Sequence, residues 1–111
     1  MATSQSTIDY ILDQLSGVEN VSTRKMFGEY TVYVSGRVVA LVCDDTLFVK
    51  LTEAGVMFAG EGADIKTGPP FPGAKPWLLI DDDRIEDREW LCDLIKITVE
   101  HVPLPKVKKK P

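Results

Sequence analysis

The stretch from Tyr30 to Leu51 constrains the fold more than any other part of the chain. It contains three apolar-rich segments, separated by two pairs of turn-forming residues, Ser35-Gly36 and Asp44-Asp45. Alternation of apolar and polar residues is typical of strands, and Asp and Gly tolerate the left-handed backbone that tight hairpins need. The sequence therefore predicts a three-stranded antiparallel meander with strands at 30–34, 37–43 and 46–51.

Helical periodicity flanks this meander on both sides. Apolar residues at helical spacing before Gly17 predict a first helix over residues 5–16, and Thr52 is positioned to cap a short helix over 53–59. Asp83, with Glu86 three residues later, has the pattern of a capping box that begins a last helix. The apolar stripe expected to bury that helix consists of Leu91, Leu94, Ile95, Thr98 and Val102.

The order of these elements predicts one α+β domain over residues 1–103. We expect two layers: an antiparallel sheet of about four or five strands, packed with an N-terminal helix, a short middle helix and a long C-terminal helix. Arg24–Phe27 and Trp77–Ile80 supply the additional strands, and the proline-containing segment 61–75 is predicted to be a loop. Residues 104–111 are expected to form a flexible tail rich in Lys and Pro.

Charge is distributed unevenly along the chain. There are 13 basic and 17 acidic residues, and four of the basic residues lie in the tail, so residues 1–105 carry a balance of −8. An acidic body repels polyphosphate, and we expect nucleic acid to bind only weakly, if at all. Any such contact is assigned to the tail lysines Lys106, Lys108, Lys109 and Lys110.

Neither the apolar segments nor the cysteines indicate a membrane or an oxidising compartment. The longest apolar run, residues 38–43, is far shorter than the roughly 20 residues of a membrane-spanning helix, and the first residues lack the pattern of an export signal. We therefore expect a cytoplasmic protein. Cys43 and Cys92 stand alone in apolar surroundings and are predicted to be reduced, buried thiols.

No combination of residues in the sequence predicts catalysis. Asp44-Asp45 and Asp81-Asp82-Asp83 are better explained as turn and helix-cap residues than as an acid–base pair. His101 is the only histidine, and no metal-ligand or phosphate-binding motif is present. We therefore predict no enzyme activity, no metal and no cofactor; a small enzyme that uses a carboxylate or a thiol is the alternative.

The most unusual local segment is Arg24-Lys25-Met26-Phe27-Gly28. One interpretation is structural: an exposed edge strand with a bulge at Gly28, in which Met26 and Phe27 fill the core. The other interpretation is a partner-binding surface, since cations beside Met and aromatic residues suit adaptable contacts. In that hypothesis the site consists of Arg24, Lys25, Met26, Phe27, Gly28 and Lys50, and the segment 69–76 is the next candidate.

The same segment carries a family resemblance. The Arg-Lys-Met-Phe-Gly segment after the first helix, the segment Asp44–Lys50 and the stretch Phe71–Trp77 together resemble the N-terminal domain of the TfoX family of competence regulators. The resemblance spans Ile8 to about Val102. It implies an α+β fold with one antiparallel sheet and a role in regulating gene expression rather than in catalysis.

This resemblance supplies expectations about partners but no catalytic residues. Full-length regulators of the family have a second, C-terminal domain, and here only a short Lys-containing tail follows Val102. We therefore expect a regulatory or protein-interaction module that binds another protein or forms a homodimer, with no membrane contact.

Overall fold

The computed structural model describes residues 3–26, 28–60 and 65–102. The elements in chain order are α1 (Gln5–Gln14), β1 (Val21–Met26), β2 (Glu29–Val34), β3 (Arg37–Cys43), β4 (Thr46–Val49), α2 (Glu53–Gly60), β5 (Thr67–Gly68), β6 (Trp77–Ile80), α3 (Asp82–Ile85) and α4 (Arg88–His101). The predicted α+β fold is confirmed, with six strands rather than four or five. Two predicted ends were wrong, since α1 stops at Gln14 and β4 stops at Val49, which leaves Leu51 exposed.

The six strands form one antiparallel sheet in the order β1-β2-β3-β4-β6-β5. The predicted meander forms its centre, and β3 lies between β2 and β4. The sheet ends on one side at the six-residue strand β1 and on the other at the two-residue strand β5. The two edges therefore differ greatly in length.

The hairpin turns of the meander have the predicted chemistry. Ser35 and Gly36 have φ angles of 51° and 82°, and Asp44 and Asp45 have φ angles of 52° and 61°. Two successive positive φ values match the turn type whose twist suits a two-residue hairpin. The interpretation of Asp44-Asp45 as turn residues is confirmed.

The predicted bulge at Gly28 was wrong. Met26 pairs with Glu29, so Gly28, with a φ of 82°, lies in the connection between β1 and β2. The irregularity of the sheet occurs instead between β2 and β3, where the register shifts at Val32 and Tyr33 and leaves Val39 as the additional residue. An extra residue on one strand is the definition of a bulge.

The helices cover one face of the sheet and build the core. Alternate strand residues, among them Val32, Ala40 and Val49, contribute from the sheet side. From the last helix, Leu91, Leu94 and Ile95 are completely buried, and α4 lies against β3, α2 and α1. The predicted apolar stripe of this helix is therefore confirmed.

The start of the last helix differs from the prediction. Asp83 lies within the single turn α3, and α4 begins after Asp87, whose side chain accepts a hydrogen bond from the N–H of Trp90 (3.1 Å). The Gln14 side chain donates to the carbonyl of Ile85 (2.7 Å), an acceptor that a continuous helix would need for itself. The helix is divided next to this contact, and the proposed Asp83–Glu86 capping box was wrong.

Other helix boundaries follow local signals. The Ser4 side chain accepts from the N–H of Thr7 at the start of α1, and the Thr52 hydroxyl accepts from the N–H of Gly55 (2.9 Å) at the start of α2. Thr52 was the predicted cap of α2. Within the described ranges, no helix has the length and apolar character needed to cross a membrane.

Candidate functional site

The sheet face turned away from the helices, hereafter the open face, carries a continuous row of side chains. Cross-strand pairing places one residue from each of five strands in this row, and residues paired in this way project to the same side of a sheet. The row consists of Arg24, Thr31, Leu41, Phe48 and Leu79. Most of its members are apolar, although none of the described helices covers them.

The proline loop, residues 69–76 between β5 and β6, covers part of this face. Pro70 is buried, and the N–H of Ala74 donates to the carbonyl of Phe71 (3.1 Å) in a turn where Gly73 has a φ of 87°. Phe48 and Cys43 are each only 7% exposed, yet neither belongs to the core cluster beneath the helices. The open face therefore has a small apolar cluster of its own.

A groove of about 430 Å³ lies between the proline loop and strands β1 to β3. Met26 and Phe71 flank it, and their side chains are 52% and 54% exposed. The groove is mainly apolar, and its lining consists of Met26, Glu29, Tyr30, Thr31, Leu41, Cys43, Pro70 and Phe71. Exposed apolar side chains that line a concave surface are typical of binding sites.

Glu29 supplies the carboxylate of the groove. Its Oε1 atom accepts hydrogen bonds from the Thr3 hydroxyl (2.6 Å) and from the N–H of Asp44 (3.1 Å). Thr3 is itself buried, and its N–H donates to the carbonyl of Gly28 (3.0 Å). The segment before α1 thus fixes the β1–β2 and β3–β4 turns at one end of the groove.

The Cys43 thiol beside this carboxylate is not activated. Burial, followed by the negative charge of Glu29, raises the pKa of the Cys43 thiol. A raised pKa keeps the sulfur protonated, and a thiol is a poor nucleophile. Cys92 is likewise a free, buried thiol, and its Sγ donates to the carbonyl of Gln14 (3.2 Å).

The remaining catalytic candidates have structural contacts. Asp45 Oδ1 accepts from the Ser4 N–H (2.8 Å), and this bond is the main cause of the lowered pKa of Asp45. His101 Nδ1 lies 2.9 Å from the carbonyl oxygen of Ile97 in the last turn of α4. Across residues 3–26, 28–60 and 65–102, no three His, Cys, Asp or Glu side chains are grouped closely enough to hold a metal ion.

The structure separates the two cations of the predicted partner-binding segment. Arg24 and Met26 are exposed on the open face. Lys25 projects to the opposite side, where its Nζ lies 5.9 Å from the ring centroid of Tyr30. Met26 does not fill the core, so the structural interpretation was wrong for this residue. Phe27 lies outside the described residues.

Lys50 shares the open face with Arg24 but is distant from it. Its Nζ lies 5.3 Å from the ring centroid of Trp77, and both residues line a second groove with Leu51, Lys75 and Pro76. Three strand spacings separate β1 from β4, which corresponds to about 14 Å across the sheet. Lys50 therefore belongs to a neighbouring patch, and the four tail lysines lie outside the described residues.

Sequence reasoning missed the contribution of Glu29 and Thr3 to the groove. The two residues are 26 positions apart and meet only through the tertiary fold. The sequence did indicate the proline loop, because an aromatic residue among prolines indicates an ordered surface segment. No pattern in the sequence indicated that this loop lies over the sheet. The structure brings Met26 of the first candidate surface together with Pro70 and Phe71 of the second at one groove.

Comparison with known proteins agrees with the fold. The family model described as the TfoX N-terminal domain matches residues 13–102. A protein of Spirochaeta aurantia, described as "Uncharacterized 12.7 kDa protein in trpE 5'region", is 38% identical over 109 residues. That alignment covers 98% of this chain and 91% of the relative, so the similarity is not confined to one motif.

Proposed function

Because the chain belongs to the TfoX N-terminal domain family, we propose that it is a non-enzymatic regulatory module that binds a protein partner through its open face. The observation that carries this proposal is the groove between β1–β3 and the proline loop. Its apolar lining and the half-exposed side chains of Met26 and Phe71 suit contact with another protein.

The composition of the groove supports adaptable but specific binding. Methionine conforms to different apolar surfaces because its side chain is unbranched and polarisable. The prolines restrict the backbone of the loop, which lowers the entropy lost when Phe71 is immobilised by a partner. Arg24, exposed on the same side of β1 as Met26, adds a positive charge that favours an acidic partner.

The regulatory part of the proposal rests on the family. The competence regulators that this chain resembles act on gene expression, and a domain whose body is acidic would exert such an effect most readily through another protein. The acidic balance of residues 1–105 favours a protein over DNA as the direct partner.

Affinity capture with matched variants tests the proposal. The full chain would be immobilised, exposed to lysate of its host, and compared with Met26→Ser/Phe71→Ser and with Met57→Ser. Met57, on α2 and 71% exposed, provides a control methionine away from the groove. We expect the double variant to lose the captured protein and the Met57 variant to retain it.

Thermal unfolding serves as the check on folding, since all three substituted side chains are exposed. If the double variant unfolds like the wild type and still captures the same protein at wild-type level, the open face is not the binding surface.

A further inference from the structure

We propose that the β1 edge accepts an extended, acidic segment of the protein partner as a seventh strand of the sheet. The inference deepens the proposed function and rests on it, because it specifies the kind of segment that binds beside the groove. It depends on the side of β1 that pairs with no other strand in the part of the chain that the structure describes, on the two cations that this strand presents, and on the contrast between the two sheet edges.

The register of β1 shows which backbone groups are free. In an antiparallel pair, residues alternate between those that exchange hydrogen bonds with the neighbouring strand and those that do not. The Ser35 N–H donates to the Asn20 carbonyl (3.0 Å), so the backbone groups of Asn20 face β2. Counting from Asn20, the alternation then assigns each residue of β1 either to β2 or to the edge. The N–H and C=O groups of Val21, Thr23 and Lys25 therefore point away from β2, toward the edge.

These free groups match the requirement of strand addition. A peptide that extends a sheet forms main-chain hydrogen bonds with every second residue of the edge strand. Pockets beside the edge bind its side chains and provide specificity. Three outward residues in a six-residue strand offer up to six such bonds. The edge at β5 consists of two residues only, so β1 is the edge with the length to hold a partner strand.

The charges of β1 determine the chemistry of the segment. Arg24 and Lys25 are exposed on opposite faces of the sheet, and among the described residues neither forms an ion pair. Carboxylates placed opposite cations stabilise cross-strand pairs, whereas like charges destabilise them. An antiparallel partner strand would thus carry an apolar residue opposite Met26, followed by two acidic residues opposite Lys25 and Arg24.

The same charges disfavour a second copy of the chain as the occupant. Two β1 strands paired about a two-fold axis would bring two Arg24 and two Lys25 side chains into one strand pair. Four cations at such short distances repel one another, and lysine on an edge is a known device against self-pairing. The edge therefore selects an acidic strand and rejects its own copy.

Thr23→Pro tests strand addition while leaving the hydrogen bonds within the sheet intact. Proline lacks the N–H group, but the N–H of Thr23 points outward, so no bond within the sheet is lost, and edge strands tolerate proline at such positions. The charge variant Arg24→Glu/Lys25→Glu leaves the backbone unchanged and provides an independent test if the proline variant does not fold.

The test begins with selection of a displayed library of short random peptides on the full chain. We expect enrichment of segments in which two adjacent acidic residues follow an apolar one. The best selected peptide should bind the wild type and Met57→Ser equally. Both Thr23→Pro and the charge variant should weaken it at least about tenfold, which is 1.4 kcal/mol.

Three results would overturn the inference: a selection without acidic segments, wild-type affinity in a folded Thr23→Pro variant, or a wild-type dimer that Thr23→Pro dissociates. Capture of the partner distinguishes a failure of the strand-addition inference from a failure of the proposed function. If Thr23→Pro retains that partner while Met26→Ser/Phe71→Ser loses it, the open face remains the binding surface and strand addition is wrong.

Discussion

Single carboxylates connect parts of the chain that are distant in sequence. Asp45 was predicted from its position to be a turn residue, and its φ of 61° confirms this. Its side chain also accepts hydrogen bonds from the N–H and the hydroxyl of Ser4 (2.8 and 3.2 Å), 41 residues away. Local turn chemistry was predictable because it depends on neighbours, whereas the Ser4–Asp45 contact depends on how α1 meets the β3–β4 turn.

The lowered pKa of Asp45 gives a prediction about stability and pH. A carboxyl whose pKa is lower in the folded state stabilises the fold above its unfolded pKa, and this contribution is lost as the pH falls through the folded pKa. Asp45→Asn keeps an acceptor oxygen and tolerates the turn but removes the charge. The variant should be less stable than wild type at neutral pH, and the difference should shrink below about pH 4, near the ordinary pKa of Asp.

Urea unfolding of both proteins at several pH values measures this difference. A stability difference that does not change between neutral and acidic pH would show that the charge of Asp45 contributes nothing to the fold.

At the scale of elements, the sequence predicted what short-range patterns determine. The first helix, the meander, the α2 cap and the strand at Trp77–Ile80 were all predicted in place because each has its own periodicity and turn residues. The division between α3 and α4 was not predicted, and neither was the contact beside it, in which Gln14 of α1 donates to the carbonyl of Ile85. Likewise, no local pattern predicted that the proline loop lies over the open face.

The contact between α2 and α4 leads to a prediction about glycine. A Cβ atom at Gly55 would lie 2.8 Å from Thr52 Oγ1 and 3.4 Å from Thr98 Oγ1. Overpacking costs about 1–3 kcal/mol, and disturbing the Thr52 cap costs about 1 kcal/mol. Alanine gains only about 1 kcal/mol in helix propensity. Gly55→Ala should therefore destabilise the fold by about 1–3 kcal/mol, on balance of these terms.

Gly60→Ala is the matched control in the same helix. Its Cβ would meet Ile65 Cγ2 at 3.5 Å, an ordinary contact, so denaturant unfolding should show unchanged or slightly higher stability. Equal stability of the two variants would contradict close packing of α2 on α4.

In the whole molecule, the two faces of the sheet differ in how much of them is covered. Helices bury one face along the central strands β2, β3 and β4, and the core there explains why the chain folds. Among the described residues, the open face is covered in part by the proline loop, and it retains a groove and exposed apolar side chains, with β1 as an edge strand. We infer that a partner binds this face. The sequence indicated a binding surface at residues 24–28, but it did not distinguish the two sides of the strand.

The measurement that tests this account most directly is a map of backbone amide chemical shifts in the isotope-labelled full chain, recorded with and without the captured partner. If the open face binds the partner, we expect changes concentrated on Arg24, Met26, Thr31, Leu41 and Phe71, with Met57 and the exposed side of α4 unchanged. Changes concentrated on α2 and α4, with the open face unchanged, would contradict it.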